Sequence, residues 1–317
     1  MISKDSSKAK EILEQNELIA IPTETVYGLA GNAFSDEAIQ KIYALKKRPH
    51  FNPLIVHIKS AEYLHEVALE IPEKAQKLAN AFWPGPLTLV LKKQAKVPDR
   101  VTSGKDTVAV RMPDHPLTLS LLASLDFPLV APSANPFGSI SPTCAAHVDE
   151  YFGASLKMVL DGGVCTRGIE STIIGFNGEE PVLYRHGSLP VEEIEAVVGP
   201  LRLHTKDDNS PSAPGMLSRH YAPKTPTYLT SNLKEMCASF EGKRVGVLVF
   251  KEKIQHPAIV HQEVLSDKGS YAEAASNLYS AMHTLDQHQL DVIIAEKLPN
   301  EGLGVTMNDR LLRATQQ

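Results

Sequence analysis

A group of cations and an imidazole around one short apolar run gives this sequence its clearest sign of chemistry. Residues 46–48, Lys-Lys-Arg, end a predicted helix, where the helix dipole alone would favour positive charge. A proline follows at once, and Asn52 then leads into a predicted strand that carries His57. We predict that Arg48 lies on a constrained loop beside His57 and that both contact a ligand. A capped helix end and a core histidine are the simpler alternatives.

A second cation, Arg111, lies inside the apolar strand TVAVRMP. Thr107 and Arg111 are four residues apart and share one face of that strand, whereas Val108 and Val110 occupy the other. Because a buried cation is costly unless it meets an anion, Arg111 should face a carboxylate, either of the protein or of a substrate. A structural salt bridge is therefore the alternative to a substrate site.

Hydroxyl groups and small residues follow several predicted strands. Residues 22–25, Pro-Thr-Glu-Thr, end one of them, and a strand that runs through proline into hydroxyl and glycine positions commonly presents donors to a ligand. Residues 132–135, Pro-Ser-Ala-Asn, follow another and lead through Ser139 and Ser141 to the start of a helix. Small residues, hydroxyls and an open helix end suit a phosphate, and a plain helix cap is the alternative.

Glycines beside polar side chains repeat this pattern at 162–163, 168–172 and 184–187. The sequence has no Walker A loop and no strand-linked GxGxxG, so a bound nucleotide would be held by scattered loops and side chains. HExxH and a nucleophile triad clustered in sequence are absent too. The cysteines, Cys144, Cys165 and Cys237, form no CxxC pair, which disfavours a zinc ribbon and a disulfide framework.

Short apolar or alternating runs bounded by proline and glycine predict the strands that position these residues. The predicted strands are 17–21, 54–58, 87–92, 107–112, 128–132, 156–160, 171–176 and 182–185. The predicted helices are 35–48, 61–70, 73–82, 116–125, 143–152 and 190–198. Many strands with irregularly interspersed helices predict an α/β or α+β domain with a large mixed sheet flanked by helices.

A segment rich in proline, serine and charge, residues 205–226, interrupts this pattern and predicts a linker. Its Met216, Arg219, His220 and Tyr221 are unusual for a spacer, so we predict an ordered lid that folds back over a ligand. Beyond it, predicted helices 232–241, 270–288 and 305–314 alternate with strands 244–250, 259–264 and 291–295. The predicted division is a catalytic domain at 1–204, the linker, and a smaller, Rossmann-like α/β domain at 227–317.

Composition fits an ordinary globular enzyme, with 43% hydrophobic and 22% charged residues among 317. The formal net charge of -5 argues against a surface that tracks nucleic acid throughout, although a local basic patch stays open. The N-terminal segment MISKDSSKAKEILEQ has no apolar run behind its lysines, and no stretch of about 18 apolar residues occurs. These features predict a cytoplasmic protein without a membrane segment.

Seven segments of the sequence share their order with a known family. They are PTETVYGL, KKRP with PLIVH, WPGPLTLVL, VAVRMP, APSAN with SPT, GIESTII and YRHGS. Over about residues 10–200 the chain resembles the YrdC-type threonylcarbamoyl-AMP synthases, and PGMLSRHYAP with EGLGVTMNDRLLRA resembles their long, two-domain form. The resemblance implies a YrdC-like catalytic domain. It also implies that L-threonine, bicarbonate or CO2, and ATP give threonylcarbamoyl-AMP and pyrophosphate, with Mg²⁺ accompanying ATP.

The resemblance implies roles for individual residues as well. Arg48 and Arg111 match catalytic positions. The threonine pocket is matched by Thr25, His57, Arg111, Ala131 and Ser171, and the ATP contacts by Arg48, Asn52, Thr107, Ser133, Ser141, Arg185 and Tyr221. Two positions depart from the family pattern, since Leu217 stands where lysine is common and His186 where proline is common. The residues that would bind the metal are left unassigned.

In that family the reaction begins the threonylcarbamoyladenosine modification of tRNA, so downstream tRNA threonylcarbamoyl-transfer proteins are expected partners. Weak tRNA binding stays open. The alternatives are an RNA-binding module, a carbamoyltransferase that forms carbamoyl-AMP, and a non-catalytic threonine or nucleotide sensor. Turnover that requires ATP and threonine would separate a synthase from the first and the last, and this sequence lacks the zinc-binding cysteine pairs of the carbamoyltransferases.

Overall fold

Short, mostly apolar strands in the N-terminal half assemble into one large mixed sheet. The computed structural model describes residues 1–204 and 220–315. The strands are β1 (Ile2–Ser3), β2 (Ile19–Ile21), β3 (Gly28–Asn32), β4 (Ile55–His57), β5 (Leu87–Lys92), β6 (Thr107–Arg111), β7 (Leu129–Val130), β8 (Met158–Leu160), β9 (Thr172–Asn177), β10 (Glu180–Arg185) and β11 (Arg202–Leu203). Within the described residues their order is β1-β8-β2-β3-β7-β4-β6-β5-β9-β10-β11. The predicted large mixed sheet is confirmed.

Helices cover this sheet on both faces. They are α1 (Ser6–Glu14), α2 (Asp36–Lys46), α3 (Leu64–Val67), α4 (Glu73–Phe82), α5 (Asp99–Thr102), α6 (Pro116–Ser124), α7 (Ala145–Phe152) and α8 (Val191–Val198). Successive side chains of a strand point to opposite faces. Accordingly, Ile19 and Ile21 join the apolar cluster that α1 and α6 complete, whereas Ala20 joins the larger cluster that contains α2 and α4.

The register of two parallel strands brings predicted site residues together. β4 and β6 are neighbours, with Ile55 opposite Ala109 and His57 opposite Arg111. Residues opposite each other in a sheet present their side chains on the same face. His57 and Arg111 therefore lie side by side, although 54 positions separate them in the sequence.

One predicted helix is much shorter than its apolar pattern indicates. Residues 61–70 contain only α3, because the chain leaves the helix to pair with the C-terminal end of β5. Ala68 forms a bridge with Lys93, and the Leu69 backbone N–H donates to the Lys92 carbonyl at 2.9 Å. Tertiary pairing thus overrides the local helical pattern.

Five elements of the N-terminal half were not predicted, namely β1, α1, β3, α5 and β11. α1 begins at a cap, where the Asp5 carboxylate accepts from the Lys8 backbone N–H at 2.9 Å, within a segment that is polar overall. β3 contains Gly28 and Gly31, which favour a loop by composition. At Gly31 a Cβ would lie 2.8 Å from the Leu18 side chain, so close packing explains a glycine inside this strand.

The C-terminal half forms a second, smaller α/β lobe. Its elements are β12 (Thr227–Thr230), α9 (Leu233–Ala238), β13 (Val245–Val249), β14 (Ile259–Val264), α10 (Tyr271–Gln287), β15 (Val292–Glu296) and α11 (Leu303–Ala314). The strands are parallel in the order β12-β15-β13-β14. β12 is an addition to the predicted strands, because its polar sequence TYLT gives no apolar run. Most of the predicted lid, residues 205–219, lies outside the described residues.

Helices α10 and α11 of the smaller lobe pack against the larger one. α10 approaches the larger lobe closely at Gly168, whose φ is +70° and where a Cβ would lie 2.3 Å from the Ser276 carbonyl oxygen. The Thr306 hydroxyl of α11 donates to the Gly187 carbonyl at 3.1 Å. Among the helices of the described residues, none has the length and apolar character needed to cross a membrane.

Candidate active site

One cavity gathers most of the predicted site residues. It lies on the face of the sheet that β4 and β6 share, with loops from β2, β7, β9 and β10 around it. Its lining consists of Thr25, Val26, Arg48, Ile55, His57, Arg111, Ala131, Pro132, Ser133, Glu170, Ser171, Arg185, His220 and Tyr221. The residues matched to threonine binding all belong to this lining.

Three residues matched to ATP binding lie outside the lining. Asn52 is directly behind it, where its side-chain oxygen accepts from Arg48 Nη2 at 2.6 Å. Ser141 is one contact away, because its hydroxyl donates to Glu170 Oε1 at 2.7 Å. Thr107 begins β6, four residues from Arg111, and pairs with Lys92 across the sheet. The structure therefore does not bring Thr107 to this cavity, since four strand residues span about 13 Å.

Arg111 faces a carboxylate of the protein, which is one of the two partners expected for it. Its Nη2 lies 2.6 Å from Glu24 Oε1, and both side chains are buried. The alignment of these two atoms is too poor for a hydrogen bond, and neither finds another partner in the described part of the chain. Glu24 Oε2 accepts from the Asp114 backbone N–H at 3.0 Å. The charges are thus balanced, while hydrogen-bonding capacity stays unused beside the cavity.

His57 is a neutral imidazole. Burial, and next the charge of Arg111, lower its pKa to about 3. Its Nδ1 lies 3.2 Å from the Ile55 carbonyl oxygen, which can only accept, so Nδ1 carries the proton. Nε2 is then an acceptor, suited to an ammonium or hydroxyl group of a ligand.

Arg48 is fixed by the loop that follows α2. Its Nε donates to the Asn52 carbonyl at 3.1 Å, and its Nη2 to the Pro53 carbonyl at 2.8 Å. Burial lowers its pKa to about 10, so the guanidinium keeps its charge at neutral pH. The predicted constrained loop is present, and it holds a cation in the wall of the cavity.

Lys46 holds the neighbouring loop that carries Ser133. Its Nζ donates to the carbonyls of Ser133 and Asn135, each at 2.5 Å. Burial, and next the charge of Arg48, place the pKa of Lys46 well below its usual range. Lys46 belongs to the predicted helix end, for which a plain cap was the alternative, and its position in the last turn of α2 gave no sign of this contact.

Glu170 also lines the cavity, and its place in the sequence predicted no role for it. Tyr279 and Arg310, from the C-terminal lobe, both contact its carboxylate. Burial alone would raise the pKa of Glu170, but the charges of Arg310 and Arg185 outweigh it and lower the pKa to about 2. The segment GIESTII contains Glu170, and an acid two residues before the apolar run of β9 was the available sign.

Tyr221 closes the cavity with an unpartnered hydroxyl. Its backbone has φ +66°, a strained region for a non-glycine residue. Its ring stacks on Tyr279 at 5.6 Å, and it is fully buried. In the described part of the chain, the Tyr221 hydroxyl and His220 Nδ1 have no hydrogen-bond partner. Buried polar groups without partners in a cavity wall indicate a ligand.

The site as a whole is built for an anion. Arg48, Arg111 and Arg185 surround it, and the buried carboxylates Glu24 and Glu170 are each matched by an arginine. Arg185 is positioned by donating Nη2 to the Ser171 carbonyl at 2.8 Å. Arginines of this kind recognise carboxylates and phosphates.

Comparison with known proteins decides the family. The family model described as "Telomere recombination", for Sua5, YciO and YrdC proteins, matches residues 11–187, and "Threonylcarbamoyl-AMP synthase, C-terminal domain" matches residues 189–316. The chain belongs to the threonylcarbamoyl-AMP synthase family. A threonylcarbamoyl-AMP synthase of Pyrococcus abyssi (strain GE5 / Orsay) is 43% identical, covering 97% of this chain and 93% of that protein. The threonylcarbamoyl-AMP synthase of Bacillus subtilis (strain 168) is 39% identical, covering 97% of this chain and 92% of that protein.

A solved structure extends the agreement to the whole fold. Pyrococcus abyssi Sua5 complexed with L-threonine matches with a TM-score of 0.92 and 41% identity, covering 99% of this chain and 96% of that one. The family assignment makes the chain an enzyme and confirms the predicted function, synthesis of threonylcarbamoyl-AMP. The alternatives of an RNA-binding module and a carbamoyl-AMP-forming carbamoyltransferase are therefore set aside.

Proposed function

We propose that this chain is a nucleotidyltransferase that converts L-threonine, bicarbonate or CO2, and ATP into threonylcarbamoyl-AMP and pyrophosphate. The observation that carries the proposal is the meeting of two kinds of subsite around one cavity. His57 and Arg111 suit the charged ends of an amino acid, and Arg48, Ser133 and Arg185 suit a polyphosphate. The roles of the individual residues below belong to this proposal.

L-Threonine binds at the β4–β6 side. Its carboxylate takes the unused donor of Arg111 Nη2, and its amine or hydroxyl donates to His57 Nε2. Thr25 and Ser171 supply further polar contacts, and Ala131 gives the substrate methyl an apolar neighbour. All five of these residues line the cavity.

ATP binds at the side of Arg48, Ser133 and Arg185. Arg48 is a permanent charge held against Asn52, and the unpartnered Tyr221 hydroxyl donates to the nucleotide. Ser141 does not line the cavity, and its hydroxyl donates to Glu170 Oε1. The hydroxyl could contact ATP only if this hydrogen bond breaks. Thr107 is the least supported of the predicted ATP contacts, since it does not line the cavity.

We propose that Mg²⁺ binds together with ATP. Mg²⁺ usually keeps several waters and binds through one or two carboxylates together with substrate phosphates. Among the described residues, no group of three or more histidines, cysteines, aspartates or glutamates could hold a metal ion. The steps below therefore rely on no metal held by the protein.

The reaction needs positioning and charge more than a protein nucleophile. The threonine amine attacks CO2 and loses a proton, which gives a carbamate. A carbamate oxygen then attacks the α-phosphorus of ATP, and the bond to the β-phosphate oxygen breaks to release pyrophosphate. Arg48 and Arg185 stabilise the charge that develops on the phosphate oxygens.

The enclosed position of the site suits this intermediate. Carbamates decompose in water, so a cover over the cavity has a chemical purpose. His220 and Tyr221 already form part of the wall, and the Ala222 backbone N–H donates to the Gly138 carbonyl at 2.8 Å. The predicted lid over the nucleotide stays a prediction, since residues 205–219 lie outside the described residues. Transfer of the product to tRNA-modifying partners is likewise proposed.

A product assay tests the function. Labelled bicarbonate, threonine and ATP should together yield a labelled nucleotide and pyrophosphate, and omission of any one should abolish both. Serine should react more slowly than threonine, because the missing methyl group is worth about 1 to 3 kcal/mol in a fitted apolar niche. Equal turnover of serine and threonine below saturation would contradict the threonine assignment. Pyrophosphate release without threonine would contradict the proposed reaction.

A further inference from the structure

The C-terminal lobe places two side chains in the wall behind the candidate active site. Arg310 of α11 is fully buried, and its Nε donates to Glu170 Oε2 at 2.9 Å. Tyr279 of α10 is also fully buried, with its hydroxyl 2.9 and 3.1 Å from the two carboxylate oxygens. Glu170 itself lines the cavity. The second lobe therefore contacts the site indirectly, through the Glu170 carboxylate of the larger lobe.

Glu170 connects this contact to residues predicted to bind ATP. The Ser141 hydroxyl donates to its Oε1, and Arg185 is close enough to lower its pKa. Arg185 in turn donates to the carbonyl and the hydroxyl of Ser171, at 2.8 and 3.1 Å. The carboxylate thus has two arginines near it, one from each lobe.

Arg310, the arginine from the C-terminal lobe, supplies the direct counter-charge of Glu170. A buried carboxylate needs a counter-charge, and Arg310 meets that need by direct contact. Without Arg310, Arg185 is the arginine of the described residues that acts on Glu170. An arginine drawn to the carboxylate would be less able to bind phosphate, and the negative charge of Glu170 would itself repel ATP.

Arg310 also supports the aromatic wall of the cavity. Its guanidinium carbon lies 5.0 Å from the centre of the Tyr221 ring, and Tyr279 stacks on the same ring. Its Nη2 donates to the His186 carbonyl at 2.7 Å, and its Nη1 to Asp309 at 2.6 Å. Each nitrogen of this buried guanidinium is engaged, so it is a rigid support for Tyr221.

We propose that Arg310 and Tyr279 are positioning residues, through which the docked C-terminal lobe keeps Arg185 and Tyr221 ready to bind ATP. This inference rests on the proposed function, because it assigns ATP to the side of the cavity where Arg185 and Tyr221 lie. It gives the second lobe a role in nucleotide binding without a direct ligand contact. By linkage, ATP should also strengthen the docking of the lobe.

The main test compares the binding of ATP and threonine to folded full-length variants by titration calorimetry. Arg310→Met removes the charge at similar volume and should weaken ATP binding by about tenfold or more, in line with the loss of a buried charge partner. Threonine affinity should change less than about twofold, since Arg111 and His57 are unaffected. Tyr279→Phe keeps the ring and removes one donor, so ATP should weaken by about threefold to tenfold.

A double variant distinguishes the effect of the Arg310 charge from a structural effect of losing its side chain. If Arg310 acts by neutralising Glu170, the pair Arg310→Met with Glu170→Gln should bind ATP more tightly than Arg310→Met alone. Asn308→Ala is the matched control on the same helix, because Asn308 bonds to Leu298 within the C-terminal lobe. It should lower the melting temperature and leave ATP affinity unchanged.

Several outcomes would overturn the inference. One is normal ATP affinity in both Arg310→Met and Tyr279→Phe, and if Arg310→Met does not fold, normal affinity in Tyr279→Phe suffices. Another is equal loss of ATP and threonine binding with no recovery in the double variant. Wild-type protein that binds ATP but makes no product would contradict the proposed reaction and leave this comparison intact. Wild-type protein that binds no ATP would overturn both.

Discussion

Arg111 and Glu24 form the buried ion pair on which the threonine side of the site is built. The pair lies 2.6 Å apart without a well-aligned hydrogen bond, so Arg111 balances a protein charge and still has a donor to offer. A substrate carboxylate would add a second anion to the same guanidinium. Arg111 can therefore form a structural salt bridge and bind a substrate at the same time.

Substitutions at this pair should affect the free energy of unfolding and the affinity for threonine differently. Arg111→Met alone leaves Glu24 buried without a counter-charge, which typically costs about 3 to 5 kcal/mol of the free energy of unfolding. Adding Glu24→Gln should restore much of that stability, and both variants should lose threonine binding in titration calorimetry. Arg48→Met is the comparison, since it should weaken ATP rather than threonine. Normal threonine affinity in the double variant would show that Arg111 is not the carboxylate partner.

At the scale of elements, two strands and one helix set the geometry of the site. β4 and β6 run in parallel register, which puts His57 beside Arg111. α10 then approaches the larger lobe so closely at Gly168 that no side chain fits between them. The same helix carries Tyr279, so the approach at Gly168 fixes how near Tyr279 can come to Glu170.

Gly168→Ala should therefore impair the docking of α10. The left-handed backbone costs an alanine about 1 kcal/mol, and the clash of its Cβ with Ser276 should add about 1 to 3 kcal/mol. Gly178→Ala is the matched control, because Gly178 has φ +60° and nothing within 4 Å of the added Cβ. We expect a clearly larger fall in melting temperature, and weaker ATP binding, for Gly168→Ala. Equal effects of the two substitutions would show that the close approach is unimportant.

At the scale of the whole molecule, buried histidines make stability depend on pH. Burial is the main cause that lowers the pKa of His57, His220 and His283 to about 3. His283 lies in the contact between the lobes, stacked on His147 at 3.8 Å. The unfolded chain binds protons at these histidines near pH 6.5, whereas the folded chain does not.

The melting temperature should accordingly be highest above about pH 6.5 and fall as the pH decreases towards 3. One such histidine contributes a slope of at most about 1.4 kcal/mol per pH unit. Glu170, with its pKa lowered to about 2, contributes between about pH 4.5 and 2, a window that overlaps the lower end of the histidine window. His283→Gln should flatten the dependence between pH 6.5 and 5, and the same change at the exposed His65 should not. An unchanged profile for His283→Gln would contradict this assignment.

Local patterns in the sequence predict most of the longer elements and many of the side chains of the site. Alternating apolar runs located β4, β5 and β6, and the cost of burying a cation already required a partner for Arg111. The regular alternation after the linker indicated the second, parallel lobe. These inferences succeed because strand periodicity, capping and burial cost act over a few residues and are written directly in the order of the chain.

The tertiary structure alone decided which residues meet. It paired Arg111 with Glu24, left Thr107 away from the cavity, and brought Arg310 to Glu170 across 140 positions of sequence. Strand order and the docking of α10 and α11 govern these contacts, and both follow from the packing of the whole molecule. A local pattern specifies which face a side chain occupies and carries no information about what another lobe places against that face.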